Sequence, residues 1–377
     1  MMMKVAIIHD WLSGMRGGEK VLEDLLELFP DADLFTLFHE PDRISAAINQ
    51  RSVRVSALQR LPFTRSKYRM LLPLFPWAVR RFDLTGYDLV LSSSHCAAKG
   101  VRVPDGTPHI CYCYTPMRYL WDLYDAYFGG QRRFSLGGLA MPLFKKRLQR
   151  WDVETAQQVG LFVAISRHIA DKIDRCYQRK AKVVYPPVDV ERFHIDPEGL
   201  EDYFLIVSAL TPYKMVEVAV EAFNQLAQDP ARGAGWRLVI AGRGPEEERL
   251  RQLAGPQVEL RGWVSDVELV KLYARCRALI MPGPEDFGIA PLEAMASGRP
   301  VIALRQAGAL ETVVEAKTGE FFNEPTAASL KKAIENFAPA AYSPAVLRAH
   351  AETFSRQKFR TELKNVIDEY LKSFKAG

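Results

Sequence analysis

The stretch MPGPEDFGIAPLEAMASGRPVIA, residues 281–303, places two glutamates, Glu285 and Glu293, where a strand becomes a helix. Residues 278–281 are all apolar and predict a short buried strand, which the following prolines and glycine end. Pro291 suits the first turn of a helix, and a Gly-Arg-Pro sequence terminates it. The stretch therefore predicts a strand–loop–helix unit that carries one glutamate in its loop and one in its helix.

The chemistry of this unit favours a ligand that has both phosphate and hydroxyl groups. A helix N-terminus offers unpaired N–H groups and partial positive charge, and Gly288 lets a ligand approach the backbone closely. Carboxylates beside such a turn accept hydrogen bonds from sugar hydroxyls. A nucleotide-sugar, which has a diphosphate between two sugars, satisfies both demands.

The motif EDFGIAPLE, from Glu285 to Glu293, resembles the donor-site signature of retaining glycosyltransferases of family 4, also called glycosyl transferases group 1. Two glutamates eight positions apart mean little alone, but here the motif continues into ASGRPVIA and AGALETV. The polar-aromatic cluster around Arg118 resembles that of bacterial O-antigen and exopolysaccharide mannosyltransferases. The resemblance implies the GT-B fold, an α/β architecture in which two doubly wound, Rossmann-like domains face a central cleft.

The alternation of strands and helices along the chain independently favours two parallel α/β domains. Strand-like runs include residues 161–164, 183–185 and 237–241, and residues 216–227 are helix-like. With 377 residues the chain is long enough for two domains of moderate size. We expect an acceptor-binding domain at 1–195, a nucleotide-sugar-binding domain at 196–355 and, by resemblance, a C-terminal helix at 356–377 that crosses back to the first domain.

Composition predicts a cytoplasmic protein. The five cysteines are odd in number and lack zinc-ligand spacing, which favours buried thiols in a reducing compartment. Residues 4–8 already form a strand-like run, so no signal peptide is expected ahead of it. No apolar run reaches the roughly 18–20 residues that a transmembrane helix needs.

The resemblance implies donor-site roles for five residues of the central stretch. Glu293 is expected to hold the nucleotide ribose, and Glu285 is expected to contact hydroxyls of the transferred sugar. The backbone of Phe287, Gly288 and Ile289 is expected to meet the sugar and the diphosphate.

Charge for the leaving diphosphate is expected from two further loops. The family usually places an arginine and a lysine after the first strand of this domain; Lys214 matches the lysine, whereas Ala209 stands where the arginine is expected. Arg243 lies in a G-x-G-x-x-E turn, which lacks the third glycine of a dinucleotide fingerprint and so disfavours NAD. We hypothesise that Arg243 supplies the missing charge. The resemblance implies that Trp263 lines the base pocket, and a core aromatic is the alternative.

The first half of the chain carries the remaining candidates. Gly17 and Gly18 resemble the glycine loop that closes over the diphosphate and acceptor, although paired glycines can serve geometry alone. His95 follows three serines at a strand end and is a candidate for contact with the donor sugar, with a structural histidine as the alternative; Tyr114 occupies the other position where relatives carry a histidine. Arg118 is a candidate for acceptor or phosphate contact. Glu285, His95 and Arg118 are thus the predicted catalytic residues.

The mechanism is implied by the family. Retention of anomeric configuration is expected through front-face attack, in which the departing phosphate oxygen helps to deprotonate the acceptor hydroxyl. No cofactor and no metal are expected, because GT-B enzymes generally need none and the one Asp-x-Asp sequence, starting at Asp31, reads as a turn.

The charge distribution predicts contact with a membrane. Residues 1–185 contain 27 Lys and Arg against 18 Asp and Glu, and residues 43–82 contain nine basic and no acidic residues. Basic residues interleaved with bulky apolar ones there and at 134–151 favour peripheral binding to anionic lipid on the inner face of the cytoplasmic membrane. An ordinary packed helix with a solvated basic face is the alternative, and nucleic acid is disfavoured because nothing resembles an RNA-binding module.

These observations favour transfer of a sugar from a nucleotide-sugar to a lipid-linked oligosaccharide in bacterial surface polysaccharide biosynthesis. Mannose from GDP-mannose is expected from the resemblance alone. A nucleotide-sugar epimerase of the same fold is an alternative, which the basic-apolar segments disfavour. A non-catalytic nucleotide-sugar-binding protein is another, which the departures at Ala209 and Tyr114 keep open.

Overall fold

The computed structural model describes residues 3–61, 68–118, 120–121, 136–196, 199–228 and 235–376, with the backbone alone at 69 and 136–143. The chain forms two compact units. The first comprises Met1–Pro187 together with Phe359–Gly377, and the second comprises Val188–Lys358. Each is built on a parallel sheet, so the predicted α/β class with two Rossmann-like domains is confirmed. The central cleft stays a prediction.

The first unit has a seven-stranded sheet in the order β3-β2-β1-β4-β5-β6-β7, and every pair of neighbouring strands is parallel. β1 is buried along its whole length, as expected of a central strand covered on both faces. The strands are β1 Val5–His9, β2 Asp33–Thr36, β3 Val53–Val55, β4 Leu89–Ser94, β5 His109–Cys113, β6 Leu161–Ala164 and β7 Ala181–Val183.

Helices flank this sheet. The α-helices are α1 Gly17–Leu28, α2 Ala46–Asn49, α3 Phe75–Val79, α4 Leu136–Gln157 and α5 Arg167–Tyr177. Short 3-10 segments lie at Pro41–Arg43, Ala57–Arg60, Tyr68–Leu74 and Ala98–Gly100. The C-terminal helix, Arg356–Ala376, buries Phe359, Leu363 and Ile367, and Phe359 packs edge-to-face on Tyr112 of β5 at 5.6 Å between ring centroids.

The second unit has a six-stranded parallel sheet in the order β10-β9-β8-β11-β12-β13. Its strands are β8 Tyr203–Val207, β9 Arg237–Ala241, β10 Val258–Gly262, β11 Leu279–Met281, β12 Val301–Leu304 and β13 Gly319–Phe322. Its α-helices are α6 Val216–Ala227, α7 Glu247–Leu253, α8 Asp266–Arg275, α9 Ile289–Ala296, α10 Ala309–Thr312, α11 Ala327–Asn336 and α12 Pro344–Glu352. Short 3-10 segments lie at Val190–Arg192, Pro212–Lys214 and Pro339–Ala341. In this numbering the C-terminal helix is α13.

The boundary between the units lies at Pro187 instead of the predicted residue 195. The N–H of Val188 donates to the carbonyl of Phe354 at 2.9 Å, and Phe193 packs edge-to-face on Tyr273 at 5.5 Å. Because Val188 and Phe193 are both buried, the segment that follows the two prolines belongs to the core of the second unit.

In each sheet the strand order reverses at one point, between β1 and β4 in the first unit and between β8 and β11 in the second. Chain connections leave opposite faces of the sheet at such a point, and the loops at the carboxyl ends of these strands form a crevice that binds ligands in α/β proteins. Within the first unit the candidate residues are therefore expected in the loops after β1 and β4, and within the second in the loops after β8 and β11.

Candidate functional site

The loop between β11 and α9, which contains Glu285, is held in place by close backbone contacts. A Cβ atom on Gly283 would lie 2.7 Å from the carbonyl carbon of Lys214, and one on Gly308 would lie 2.4 Å from the Cα of Phe287. The N–H of Gly308 donates to the carbonyl of Glu285 at 2.8 Å. Only glycine fits at these two positions, so the backbone that carries Glu285 is fixed from both sides.

Lys214 and Glu285 form an ion pair, and both side chains are partly buried. Lys214 ends the 3-10 segment after β8, and Glu285 lies in the loop after β11, so the pair spans the point where the strand order reverses. The structure thus brings together the cation predicted for the diphosphate and the carboxylate predicted for the sugar.

Glu293 is buried on α9 and is oriented by a tyrosine. Its Oε2 accepts a hydrogen bond from the hydroxyl of Tyr273 at 2.8 Å, and the Glu293 residue is only 6% exposed. Burial and the adjacent Glu293 carboxylate raise the pKa of Tyr273 well above its usual value, so the tyrosine remains a donor. The carboxylate is therefore presented in one orientation.

The three residues ahead of and within the first turn of α9 differ in what they contribute. Phe287 is buried and packs on Phe354 at 5.9 Å, which anchors the loop. Gly288 is the N-cap, with φ +91°, a left-handed conformation that favours glycine. Ile289 begins the helix, and no side chain of the N-cap residue covers the first-turn N–H groups.

Arg243 lies beside the segment that contains Ala209. The N–H of Leu210 donates to the carbonyl of Arg243 at 3.0 Å, and a Cβ on Gly242 would lie 1.8 Å from the carbonyl oxygen of Ser208. The two loops are in backbone contact, and the side chain of Arg243 is exposed. This adjacency supports the hypothesis that Arg243 provides the charge that Ala209 lacks.

Trp263 is 72% exposed. The alternative that it is a core aromatic is therefore wrong. The residue follows β10, where the strand's register shifts and the chain turns at Gly262, with φ +67°.

In the first unit, Asp10 directly follows β1 and organises the loop after β4. Its carboxylate accepts hydrogen bonds from the N–H groups of His95, Cys96, Ala97 and Ala98 at 2.6–2.9 Å. The same carboxylate lies 3.0 Å from His95 Nδ1. Asp10 is completely buried, so this loop is held by a desolvated negative charge.

His95 contacts both Asp10 and Trp11. Nδ1 faces Asp10, and the ring packs edge-to-face on Trp11 at 4.4 Å between centroids. Its side chain is 22% exposed. Burial alone would raise the pKa of Asp10, but the charge and hydrogen bonds of His95 lower it to about 2. Asp10 therefore stays ionised. Because Nδ1 of His95 faces Asp10, Nε2 is the ring nitrogen that can contact a ligand.

The depressed pKa of Asp10 makes a pH-dependent contribution to stability. A carboxyl group with a pKa of about 2 in the folded protein and about 3.9 in the unfolded chain stabilises the fold by about 2 kcal/mol above pH 4. This contribution is lost as the pH falls from about 4 towards 2. We expect the stability difference between the wild-type protein and Asp10→Asn, measured by urea unfolding, to shrink across that interval. A difference that stays constant from pH 6 to pH 2 would contradict this assignment.

Gly17 and Gly18 open α1, which has Arg16 as its N-cap. The N–H of Arg16 donates to Glu19 Oε2 at 3.0 Å, and the carbonyl of Gly18 accepts from the hydroxyl of Tyr114 at 3.0 Å. Glu19 is 5% exposed; burial would raise its pKa, but the neighbouring His9 lowers it. The predicted glycine loop is thus fixed at its backbone by buried side chains.

Arg118 lies in the turn after β5 and is partly buried. The turn is closed by the N–H of Leu120, which donates to the carbonyl of Met117 at 2.9 Å, and both of these neighbours are buried. Contact of Arg118 with acceptor or phosphate stays a prediction.

Sequence reasoning missed His9, Asp10 and Glu19, and it noted Ser93 only as a neighbour of His95. The signal was present, because HD stands at the end of the first strand and SSSH at the end of the fourth, and the carboxyl ends of adjacent parallel strands meet at one edge. Within the described ranges, no group of three or more His, Cys, Asp or Glu side chains could hold a metal ion.

Two family models match the chain. "Glycosyltransferase Family 4" matches residues 15–192, and "Glycosyl transferases group 1" matches residues 188–344. Together with the fold they define a GT-B glycosyltransferase, and the chain belongs to glycosyltransferase family 4.

Curated relatives align with part of the chain. A GDP-mannose-dependent alpha-(1-6)-phosphatidylinositol monomannoside mannosyltransferase of Mycobacterium tuberculosis is 35% identical over 158 residues, 36% of this chain and 40% of the relative. The human alpha-1,3/1,6-mannosyltransferase ALG2 is 30% identical over 220 residues, 50% of this chain and 52% of the relative. An uncharacterized glycosyltransferase of Methanocaldococcus jannaschii is 25% identical over 177 residues, 46% of this chain and 48% of the relative. The chain thus spans about half the length of these relatives or less.

Solved structures match nearly the whole chain. HepE of Anabaena, in complex with UDP, superposes with a TM-score of 0.69 at 18% identity and covers 97% of this chain and 100% of its own. Sucrose-phosphate synthase of Thermosynechococcus elongatus superposes with a TM-score of 0.70 at 16% identity and covers 98% of this chain and 100% of its own. At these identities the similarity supports the fold.

Proposed function

We propose that this protein is a retaining glycosyltransferase that transfers mannose from GDP-mannose to a lipid-linked oligosaccharide in bacterial surface polysaccharide biosynthesis. The observation that carries the proposal is the arrangement of Glu285 and Glu293 around the start of α9, with Lys214 paired to Glu285. The donor assignment is supported by the M. tuberculosis relative, whose name specifies GDP-mannose.

Glu293 is proposed to bind the ribose of the donor. A carboxylate has about four acceptor positions, and the hydroxyl of Tyr273 occupies one of them at 2.8 Å. Two adjacent ribose hydroxyls can donate to the same carboxylate. Because the residue is 6% exposed, these hydrogen bonds form where water competes little.

The diphosphate is proposed to bind at Lys214 and Arg243, with the backbone of Phe287, Gly288 and Ile289 beside it. Glu285 is proposed to accept hydrogen bonds from the sugar. In the ligand-free pair the Lys214 ammonium and the Glu285 carboxylate satisfy each other. A nucleotide-sugar presents phosphate oxygens to the first and hydroxyls to the second, so binding replaces one charge-assisted contact by two.

Transfer is proposed to proceed on one face of the sugar. The bond from the anomeric carbon to the phosphate oxygen breaks, the bond to the acceptor oxygen forms on the same face, and the acceptor proton passes to the departing phosphate. The protein contributes electrostatic stabilisation of the diphosphate and orientation of the reactants. His95, through Nε2, is proposed to contact the donor sugar, Gly17 and Gly18 the diphosphate or acceptor, and Arg118 the acceptor or phosphate. No metal is proposed to take part.

A donor screen tests the proposal. The protein is incubated with GDP-mannose, UDP-glucose, UDP-galactose, UDP-N-acetylglucosamine or dTDP-rhamnose, and stabilisation against heat and release of nucleoside diphosphate are measured. We expect both with GDP-mannose, and the same release in EDTA. Stabilisation and release with another donor would agree with a transferase but would overturn the mannose assignment. Stabilisation without release, even with lipid-linked acceptors, would favour the non-catalytic binder.

The first unit is also proposed to contact the inner face of the cytoplasmic membrane, where a lipid-linked acceptor lies. Within the described parts of the chain, no helix is both long enough and apolar enough to span a bilayer. Around α3, however, three large apolar side chains are exposed, Met70 by 58%, Leu74 by 44% and Trp77 by 47%. Arg80 and Arg81 are exposed beside them, and Arg81 lies over the Trp77 ring at 4.5 Å. This combination suits the interface of an anionic bilayer. Residues 62–67, part of the predicted segment, lie outside the described residues.

Vesicle binding checks the membrane proposal. Trp77→Ala is expected to weaken binding to phosphatidylglycerol-containing vesicles several-fold, because an interfacial aromatic side chain is removed. Trp263→Ala is the matched control, since Trp263 is also exposed but lies in the second unit. Binding should fall with added salt and be absent from purely zwitterionic vesicles. Equal binding of the wild-type protein and Trp77→Ala, or equal losses in the two variants, would contradict the assignment of this surface.

A further inference from the structure

Three buried side chains at the carboxyl edge of the first sheet form a hydrogen-bonded series that ends on the glycine loop. His9 ends β1, and Ser93 lies opposite it on β4. His9 Nδ1 is 2.9 Å from Ser93 Oγ, which is 2.9 Å from the hydroxyl of Tyr114. That hydroxyl is 3.0 Å from the carbonyl oxygen of Gly18. We call these three residues the His–Ser–Tyr network.

The direction of every hydrogen bond in this network follows from its last acceptor. The carbonyl of Gly18 can only accept, so Tyr114 donates its single proton there. Ser93 must then donate to the oxygen of Tyr114, and its own oxygen must accept from His9 Nδ1–H. The Nδ1 proton of His9 is therefore fixed by a backbone carbonyl two side chains away.

The other ring nitrogen of His9 faces the same loop. His9 Nε2 lies 3.8 Å from Glu19 Oε1, and the other oxygen of Glu19 accepts from the N–H of Arg16. Among the described residues Nε2 has no hydrogen-bond partner, and His9 is 1% exposed. The Nδ1 edge of the imidazole thus reaches Gly18 through two hydroxyls, and the Nε2 edge faces the carboxylate that accepts from Arg16.

Glycine pairs need such support because they have no side chains of their own. Gly17 and Gly18 have more conformational freedom than two residues with side chains would have. A Cβ on Gly18 would lie 3.7 Å from both the His9 ring and the Tyr114 ring, so the two rings pack directly beneath it. The packing of these rings and the hydrogen bond from Tyr114 therefore restrain the backbone at Gly18, which has no side chain to do so.

We propose that His9, Ser93 and Tyr114 are positioning residues that fix the Gly17–Gly18 backbone for the transfer reaction. The inference rests on the proposed transferase function. It adds that the hydroxyl of Tyr114 acts on the protein's own glycine loop. Displacement of a substrate-positioning segment by about 1 Å can cost about 100-fold in rate.

Two tyrosine variants test this role. Tyr114→Phe removes the hydroxyl that reaches Gly18 and keeps the ring. Tyr112→Phe is the matched control, because Tyr112 is also buried, on the adjoining strand β5, and its hydroxyl donates at 3.0 Å to the carbonyl of Val184, outside the network. We expect kcat/KM for the donor to fall about 10- to 100-fold in Tyr114→Phe and less than about threefold in Tyr112→Phe. Wild-type activity in Tyr114→Phe, or equal losses in both variants, overturns the role.

Serial action gives a second check. Ser93→Ala and Tyr114→Phe interrupt the same series, so the double variant should lose no more activity than Tyr114→Phe alone. Asparagine can place an amide donor near the position of Nδ1, so His9→Asn should retain more activity than His9→Leu. Additive losses, or no rescue by asparagine, would show that the three side chains act separately.

Hydrogen–deuterium exchange separates failure of this inference from failure of the proposed function. The amides of residues 16–22 are followed in the ligand-free protein, where no transfer is needed. Faster exchange in Tyr114→Phe, with wild-type exchange in Tyr112→Phe, supports the restraint even if no donor turns over. If the wild-type protein transfers a sugar and exchange is unchanged in Tyr114→Phe, the inference fails and the transferase stands.

Discussion

Glu293→Gln is expected to lower kcat/KM for the nucleotide-sugar by about 100-fold or more. The amide keeps the shape of the side chain and one acceptor for the hydroxyl of Tyr273. It loses the charge, and hydrogen bonds to a charged group contribute about 1.5–3 kcal/mol each. Loss of two such bonds to ribose corresponds to roughly 10²- to 10⁴-fold. The loss should appear in the dissociation constant of GDP, measured by calorimetry, as well as in turnover, because ribose is bound before and after transfer.

Glu320→Gln is the matched control for this variant. Glu320 lies in the same unit, and its Oε1 accepts from the hydroxyl of Tyr342 at 2.5 Å. The pair therefore has the same chemistry as Glu293 with Tyr273 but lies on β13, away from α9. Retention of GDP binding in Glu293→Gln, or an equal loss in both variants, would contradict the ribose-binding role.

A second large effect is expected from a buried ion pair that takes no part in the chemistry. Lys99 Nζ lies 2.8 Å from Asp152 Oδ1, and both side chains are 2% exposed or less. The other oxygen of Asp152 accepts from Trp121 Nε1 and from the hydroxyl of Tyr177, each at 2.8 Å. The pair ties α4 to the segment that follows β4.

Asp152→Asn is expected to destabilise the first unit by about 3–5 kcal/mol, because the Lys99 ammonium is left buried without its counter-charge. For a unit of this size that corresponds to a lower melting temperature by roughly 6–20 °C in scanning calorimetry. Lys180→Met removes the exposed pair of Lys180 with Asp174 and should cost only about 0–1 kcal/mol. Similar losses in the two variants would contradict the structural role given to the buried pair.

Much of the fold could be predicted because strongly apolar runs and helical periodicity determine it. The strand at 161–164 and the helix at 216–227 have their predicted bounds. For helix α4 the sequence gives a packed helix only as the alternative to a membrane-binding segment, since the run begins Leu-Gly-Gly and contains Pro142, which propensity disfavours. Burial of Leu148 and Trp151 in the core outweighs this preference.

Errors in strand bounds arise where an apolar run does not show which of its residues pair with the neighbouring strand. A strand was predicted at 183–185, but β7 is Ala181–Val183. Val184 is buried although it lies outside the strand. At Val184 apolar character therefore indicated burial and did not indicate strand pairing.

The part of the candidate site that lies in one continuous motif could be predicted. The part that is brought together by the pairing of separate strands could not. Glu285 and Glu293 lie within a continuous stretch, so their setting was recognisable. The His–Ser–Tyr network joins residues 84 and 21 positions apart, and only the parallel pairing of β1, β4 and β5 brings them together. Separations along the chain do not show that these residues meet, because their contact depends on the strand order and register of the folded sheet.

The most direct test of the central claim is product analysis after incubation with GDP-mannose and a lipid-linked oligosaccharide acceptor. Mass spectrometry of the lipid fraction is expected to show an acceptor heavier by one hexose, and NMR is expected to show the new linkage in the α-configuration of the donor. The same reaction with Glu293→Gln should give little product. Free mannose or an epimerised donor in place of an extended acceptor would contradict the account, as would a product of inverted configuration.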